Sequence, residues 1–344
     1  MNNREKGVVI RRQILRDVGH HPNDLVNHIG GVFSITPQAV HNHVRRLEKE
    51  DRLRTTGKGK GKRYFLGAVR DNVITIELED DLSEDTIWAN NFRQIVEEVS
   101  DNVKEVCVYG FTEMVNNAID HSGGDKLHIG VFKNGNNVSI FVTDNGEGIF
   151  KKITRLCNLA DERQAILELS KGKLTTDPDR HTGEGIFFTS RVFDSFEIES
   201  KGLKFSHDDD LDFDFILESA MLLENAGTMV CMVIGLESDR KLRDVFDDFA
   251  APDEYQFNKT VIPVKLAVYG NELLISRSQA KRLLTRIENF ENVIFDFEGV
   301  ESVGQAFADE IFRVYANQNP QIMIAPLNMT ESVENMVKRA QHRN

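Results

Sequence analysis

Apolar positions near the N-terminus recur at helical spacing. Ile10, Ile14, Leu15 and Val18 make one apolar helical face, and a second helix is expected to open over residues 22–29 and to be interrupted by Gly30 and Gly31. Thr36 then Pro37 is a start signal, an N-cap followed by proline at the first helical position, and Val40, Val44 and Leu47 bury the helix that follows. Two short strands, residues 53–56 and 63–66, flank a flexible tip of alternating glycine and lysine, Gly57-Lys58-Gly59-Lys60-Gly61-Lys62. Further on, Phe111, Met114, Val115 and Ala118 follow the i, i+3, i+4, i+7 rule, while Glu113 and Asn117, four apart, share another face with His121 one turn beyond. The period then changes to two. Leu127, Ile129 and Val131 alternate, residues 134–137 (NGNN) turn the chain, and Val138, Ile140 and Val142 alternate again, a β-hairpin.

A further apolar strand is expected over residues 229–234, and a charged connector over residues 238–254. Beyond it, strands at 261–268, 293–297 and 322–324 alternate with helices marked by Ala280, Leu283, Leu284 and Ile287, by Ala308, Ile311, Phe312 and Tyr315, and by Val333, Met336, Val337 and Ala340. That order predicts a small α/β domain with a helix-covered sheet. For 344 residues the size prior gives two or three domains. The boundaries read as 1–70, 71–237, a connector at 238–258, and 259–344.

Charge divides the chain more sharply than composition does. Residues 1–70 carry 15 Lys and Arg against 6 Asp and Glu, a balance of +9, which leaves 27 against 49, or −22, for the rest of a chain whose net charge is −13. A basic head on an acidic body argues for a separate domain with a polyanionic partner. The head has the pattern of a winged helix-turn-helix. Gln38, His41, Asn42 and Arg45 are the exposed positions of its third helix, suited to base edges or phosphates, and Lys58, Lys60, Lys62 and Arg63 form a basic wing with no acidic counterpart nearby. Duplex DNA is the expected partner. Cys107, Cys157 and Cys231 are widely spaced and odd in number, which indicates neither a disulfide framework nor a zinc site. With no apolar run of about 18 residues and no signal-peptide core, the expectation is a cytoplasmic protein without a membrane partner.

The candidate chemistry lies in the middle. A carboxylate and an amide one helical turn apart, Glu113 and Asn117, suit Mg2+ held with phosphate, since Mg2+ takes few protein oxygens and borrows the rest. The hairpin delivers Asp144 to the sheet edge, where Gly146 and Gly148 leave room for a ligand. Gly183 and Gly185 place backbone N–H groups at a helix start, able to face phosphates. Taken alone, residues 144–146 also read as an ordinary hairpin turn.

In order, residues 112–122 (TEMVNNAIDHS), 144–149 (DNGEGI) and 183–186 (GEGI) resemble the N, G1 and G2 boxes of the Bergerat-fold, or GHKL, ATP-binding proteins. That family includes gyrase subunits, histidine kinases and anti-sigma-factor serine kinases. The resemblance implies ATP and Mg2+ as cofactors, Asn117 as the Mg2+ ligand, Glu113 as the base that orients or deprotonates the nucleophile, and Asp144 as acceptor of the adenine amino group. His121, Gly146, Gly148, Ile149, Gly183, Gly185, Ile186 and Thr228 complete the implied site. Residues 150–182, with Lys151, Lys152, Arg155, Lys171, Lys173 and Arg180, take the place of an ATP lid. The segment FDFEGVESVGQAFADEIF in the tail resembles a STAS-like domain, although the turn at residues 304–307, where regulated STAS domains carry a phosphoacceptor serine, has no hydroxyl, and Ser302 falls elsewhere.

The expected fold class is therefore multidomain α+β: a winged helix-turn-helix, a Bergerat α/β sandwich and a small STAS-like α/β domain. The expected function is an ATP-binding, DNA-binding transcriptional regulator, a homodimer in which a slow ATPase module switches the head and an interaction tail that takes a protein partner. An anti-sigma-type serine protein kinase acting on a STAS-domain partner stays open, because transfer to a hydroxyl and attack by water need the same base and Mg2+. A histidine kinase does not fit, since no histidine lies between His43 and His121 to serve as phosphoacceptor.

Overall fold

The computed structural model describes residues 3–67, 69–79, 82–174, 182–208, 215–218, 227–250, 257–268 and 272–342, a multidomain arrangement of mixed helices and sheets. Arg180 lies outside the described residues, as does the side chain of Lys60. Among the described residues no helix is long and apolar enough to cross a membrane.

In the head, α1 (Asn3–Asp17), α2 (Leu25–Phe33) and α3 (Pro37–Lys49) enclose Ile14, Leu25, Ile29, Val40, Val44 and Leu47, all fully buried. Thr36 caps α3 by accepting the Ala39 N–H at 3.2 Å. The expected break at Gly30-Gly31 is absent. α2 runs through the pair and ends at Ser34 in the left-handed region (φ 51°), where the Ile35 N–H donates to the Gly30 carbonyl at 3.0 Å. A helix therefore tolerates the pair, which lets the chain fold back close against its last turn. β1 (Leu53–Thr56) and β2 (Arg63–Leu66) form an antiparallel hairpin whose tip is a 3-10 turn, Gly59–Gly61.

The body is a seven-stranded antiparallel sheet in the order β3-β4-β5-β9-β6-β7-β8: β3 (Arg70–Glu77), β4 (Lys126–Lys133), β5 (Asn137–Asp144), β6 (Ser195–Ser200), β7 (Leu203–Asp208), β8 (Phe215–Glu218) and β9 (Met229–Gly235). The strict alternation of β5 buries Val138, Ile140 and Val142 and leaves Ser139, Phe141 and Thr143 half-exposed, so one face of the strand takes the helices. α5 (Asp101–His121) lies across β5 and β9, α8 (Gly185–Val192) across β6, and α4 (Glu84–Asn91) against α5. Because β9 inserts between β5 and β6, the ends of β5 and β9 meet beneath the last turns of α5.

In the tail, β10 (Lys259–Pro263), β11 (Asn292–Asp296) and β12 (Met323–Leu327) form a parallel sheet covered by α10 (Arg277–Leu284), α11 (Gln305–Asp309) and α13 (Glu331–Gln341), with a π-helical turn (Glu310–Tyr315) and α12 (Ala316–Gln318) continuing α11. The strand expected at 261–268 stops at Pro263, which has no N–H for the ladder, and a 3-10 turn Val264–Ala267 follows. Residues 304–307 are the cap and first turn of α11 rather than a separate turn, with Ser302 exposed outside them.

Two further expectations change at the junction of body and tail. The charged connector contains α9 (Leu242–Phe249), whose Phe246 and Phe249 join Phe187, Phe188, Phe257 and Phe290 in a continuous aromatic cluster, with ring centroids 4.3 Å apart for Phe188–Phe246, 4.5 Å for Phe187–Phe257 and 5.4 Å for Phe257–Phe290. The polar lid expected over 150–182 is, in its described part, a packed pair of helices, α6 (Ile149–Leu156) and α7 (Glu162–Lys171), and α7 is buried from Ala165 to Lys171. Lys171 and Glu168, both 1 % exposed, pair at 2.7 Å, and the ammonium also donates to the tail carbonyls of Thr285 (2.8 Å) and Arg282 (3.3 Å). Burial pushes the Glu168 carboxyl up and the Lys171 ammonium down.

Breaking this pair should be costly. Lys171→Met leaves a buried carboxylate without its ammonium and should lower unfolding stability in urea by about 3–5 kcal/mol, while Glu168→Gln added to it should recover part of that loss. Equal stability of wild type and Lys171→Met would show that the pair contributes nothing.

Candidate nucleotide site

Beneath the C-terminal half of α5 is a cavity of about 310 Å³, within the range of small-molecule sites. α5 lines it with Glu113, Asn117 and His121, which follow one another at i, i+4, i+8. β5 contributes Val142 and Asp144, and β9 and the residue before it contribute Val230 and Thr228, each pair two residues apart and so on one face of its strand. Gly148, Ile149, Gly183, Gly185 and Ile186 complete the expected set at the wall. Gly146 does not line the cavity.

Asp144 is 7 % exposed and held from several sides. Its Oδ1 accepts the Gly146 N–H at 2.8 Å, its own N–H donates to the Thr228 carbonyl at 3.0 Å, and its carbonyl accepts the Gly227 N–H at 2.8 Å. Thr228 is fixed in turn, its hydroxyl oxygen accepting the Ile149 N–H at 3.0 Å. Burial pushes the Asp144 carboxyl above its ordinary range, against hydrogen bonds from Gly146 and Thr228 and the charge of Lys201, which pull it down. Gly148 has φ +94°, and a Cβ there would meet Ser200 Oγ at 2.6 Å, so the turn into α6 needs glycine.

Glu113 stands against the start of α8. A Cβ placed on Gly185 would lie 1.9 Å from Glu113 Oε2, so glycine is what lets the helix start approach the carboxylate. A helix N-terminus favours negative charge, which places Glu113 where an anionic ligand would also be favoured. Beside it, Glu184 is pushed up by burial, with Lys173 and a hydrogen bond from Thr182 pulling it down. Among the described residues no group of three or more His, Cys, Asp or Glu side chains could hold a metal ion. The carboxylate of Glu113 and amide of Asn117 therefore fit Mg2+ only as a partner to phosphate oxygens and water.

Several lining residues lie outside the implied site residues: Met114, Asn116, Ala118, Ser122, Ile153, Leu169, Leu174 and Thr182, together with Lys152, which the resemblance places in the lid. Met114 and Ala118 are core residues that also border the cavity, so the apolar and ligand-facing sides of α5 overlap. Lys152 and Ile153 were accessible from pattern, being i+3 and i+4 from Ile149 on α6. Leu169 and Leu174 carried no such signal, since Leu169 reaches the cavity through the packing of α7 and Leu174, three residues past that helix, through its approach to Gly183.

In the head, Gln38, Asn42 and Arg45 are exposed on α3 and His41 is half-buried; Lys58 and Arg63 are exposed on the hairpin. The hairpin does have an acidic neighbour. Lys62 is half-buried, its Nζ 3.9 Å from Glu48 and 5.2 Å from the centre of the Tyr64 ring, and Arg63 Nε donates to Asn23 at 3.0 Å. The three thiols are unpaired, with burial pushing Cys107 and Cys231 up to about 12.

No curated protein matches the chain. Residues 279–334, from α10 through β11, α11 and β12 into α13, match the family model of a STAS-like domain of unknown function (DUF4325), so the C-terminal part of the chain is STAS-like.

Proposed function

We propose that the cavity binds an adenine nucleotide with Mg2+ in the manner of GHKL proteins, and that nucleotide state governs a winged-helix, DNA-binding head and a STAS-like interaction tail. One observation carries the reading: three strings separated by up to about seventy residues of chain, around Glu113, Asp144 and Gly183, line one cavity of ligand size. Asp144, an acceptor-only group when ionised, suits the amino group of adenine. Asn117 would hold Mg2+ against the phosphates, and Glu113 would take or orient the proton of the attacking nucleophile. Bound ATP supplies the transferable phosphoryl group. The basic hairpin and the exposed face of α3 supply the charge expected of a duplex-DNA contact. The STAS-like tail supports a protein-interaction role.

Incubation with γ-labelled ATP tests the reading. Label released as phosphate supports a slow ATPase switch; label moved onto an added STAS-domain protein supports the serine kinase; retention of all label on ATP removes both. Asp144→Asn should abolish binding, because the amide presents donors as well as an acceptor. Glu113→Ala should bind and not turn over. Because burial raises the Asp144 carboxyl and the ionised form is the acceptor, binding to wild type should weaken on acidification at a higher pH than an ordinary aspartate would give. Equal affinity and turnover in wild type and both variants, by calorimetry and phosphate release, contradicts the assignment.

For the head, the full chain should bind duplex DNA with affinity that falls steeply with salt. Reversing Lys58, Lys60 and Lys62 to Glu should weaken all sequences alike, whereas Asn42→Ala or Arg45→Ala should alter sequence preference. Anisotropy titrations at two salt concentrations read both effects; an unchanged isotherm for the triple reversal shows that the hairpin does not meet phosphate.

A further inference from the structure

We infer that Lys152 is the phosphate-contacting cation of the cavity, an assignment that rests on the nucleotide reading above and deepens it. α6 carries three basic side chains, and they point differently. Lys151 is exposed; Arg155 is spent on Glu147 at 2.6 Å; Lys152 is half-buried and lines the cavity with Ile149 and Ile153, its neighbours on the same helical face. Its ammonium donates to the carbonyl of His121 at 2.6 Å. His121 ends α5, where carbonyls have no partner within the helix, so Lys152 spans from the first turn of α6 to the end of the helix that carries Glu113 and Asn117.

Charge makes the assignment specific. Among the described residues lining the cavity, the carboxylates are Glu113 and Asp144, and Lys152 is the sole Lys or Arg. A polyphosphate brought against two carboxylates is repelled unless cations offset it. Mg2+ held by Asn117 would supply one share, and Lys152 is the protein's own. An ammonium has three N–H donors. One is used on His121, which leaves two for phosphate oxygens in charge-assisted bonds. Burial lowers the ammonium from its ordinary range, with Glu147 and Asp144 raising it and Arg155 lowering it further. The apolar remainder of the wall, Met114, Val142, Ile153 and Val230, has no need of this charge, so the base and sugar of a ligand should be indifferent to it.

The competing role is structural, Lys152 serving only as a cap on α5, and ligand comparison separates the two. Calorimetry on the full chain would measure adenosine, ADP with Mg2+ and ATP with Mg2+ against wild type, Lys152→Gln and Lys152→Arg, with thermal unfolding of each protein alongside. Loss of a charged hydrogen bond should weaken ADP and ATP by roughly tenfold to a hundredfold in Lys152→Gln. Adenosine should bind unchanged, and Lys152→Arg should keep most of the phosphate affinity. Lys152→Met, which keeps the stem, repeats the charge-free measurement if Gln disturbs the end of α5. A loss of adenosine affinity equal to that of ATP overturns the assignment in favour of the cap, and unchanged ATP affinity overturns it outright. If wild type binds adenosine and ATP equally, the cavity does not read phosphate. If wild type binds none of the three, the nucleotide reading itself falls and this one with it.

Discussion

An ammonium that is 1 % exposed constrains how the body and tail can be arranged. Lys171 could not be buried by the body alone: Glu168 offsets its charge, but two of its hydrogen bonds end on tail carbonyls, Arg282 and Thr285. Those carbonyls lie at the C-terminal end of α10, where a helix favours positive charge. The clamp is wider than one residue. Thr260 donates from β10 to the Lys171 carbonyl at 2.8 Å, Lys173 donates to the Asn289 carbonyl at 2.9 Å, and Arg286 donates back to the Lys173 carbonyl at 3.3 Å. With the phenylalanine cluster beside it, the body and tail share one continuous apolar core, whereas the head keeps a separate one.

This constraint reaches the cavity. Leu169 and Leu174 line it, and they bracket the residues that the tail grips. Lys173, held by the tail, also acts on the charge of Glu184 at the start of α8, next to Gly183 and Gly185 in the wall. One wall of the cavity is thus built from residues whose positions the tail fixes. A ligand that shifts this wall must work against buried hydrogen bonds to another domain, so its effect on the tail is bounded by its differential affinity for the two wall positions.

What could be read in the sequence was what local spacing determines. The β4–β5 hairpin followed from two-residue alternation around an asparagine-rich turn, the β1–β2 hairpin from a glycine- and lysine-rich tip between two short strands, and the face of α5 from a spacing of four. α7 was misread because Glu168 and Lys171, in ERQAILELSK, look like solvent-facing charges; their burial depends on carbonyls more than a hundred positions away in the chain. α9 was misread for a different reason. Leu242, Val245, Phe246 and Phe249 keep helical spacing, but among the charged Arg243, Asp244, Asp247 and Asp248 they look like part of a linker until their aromatic partners are in place. Gly30-Gly31 shows the converse error, a local breaker signal overruled by the packing of α2 against α1 and α3.

The head is joined by a different kind of contact, and that limits how the cavity can act on it. Arg52 donates from its Nε to the Gly135 carbonyl at 2.9 Å and pairs through Nη1 with Glu237, while Arg12 donates to the Glu237 carbonyl at 3.0 Å. Glu237 lies two residues beyond β9, and Thr228, at the cavity, lies one residue before it. A single strand therefore runs from the ligand wall to the residue that holds the head. β9 is laddered to β5 on one side and β6 on the other, so a displacement of this strand has to carry its neighbours with it. The head is held by the polar contacts of Arg12 and Arg52 and keeps its own apolar core, whereas the tail shares the body's core, so a movement of the body meets less apolar contact at the head than at the tail.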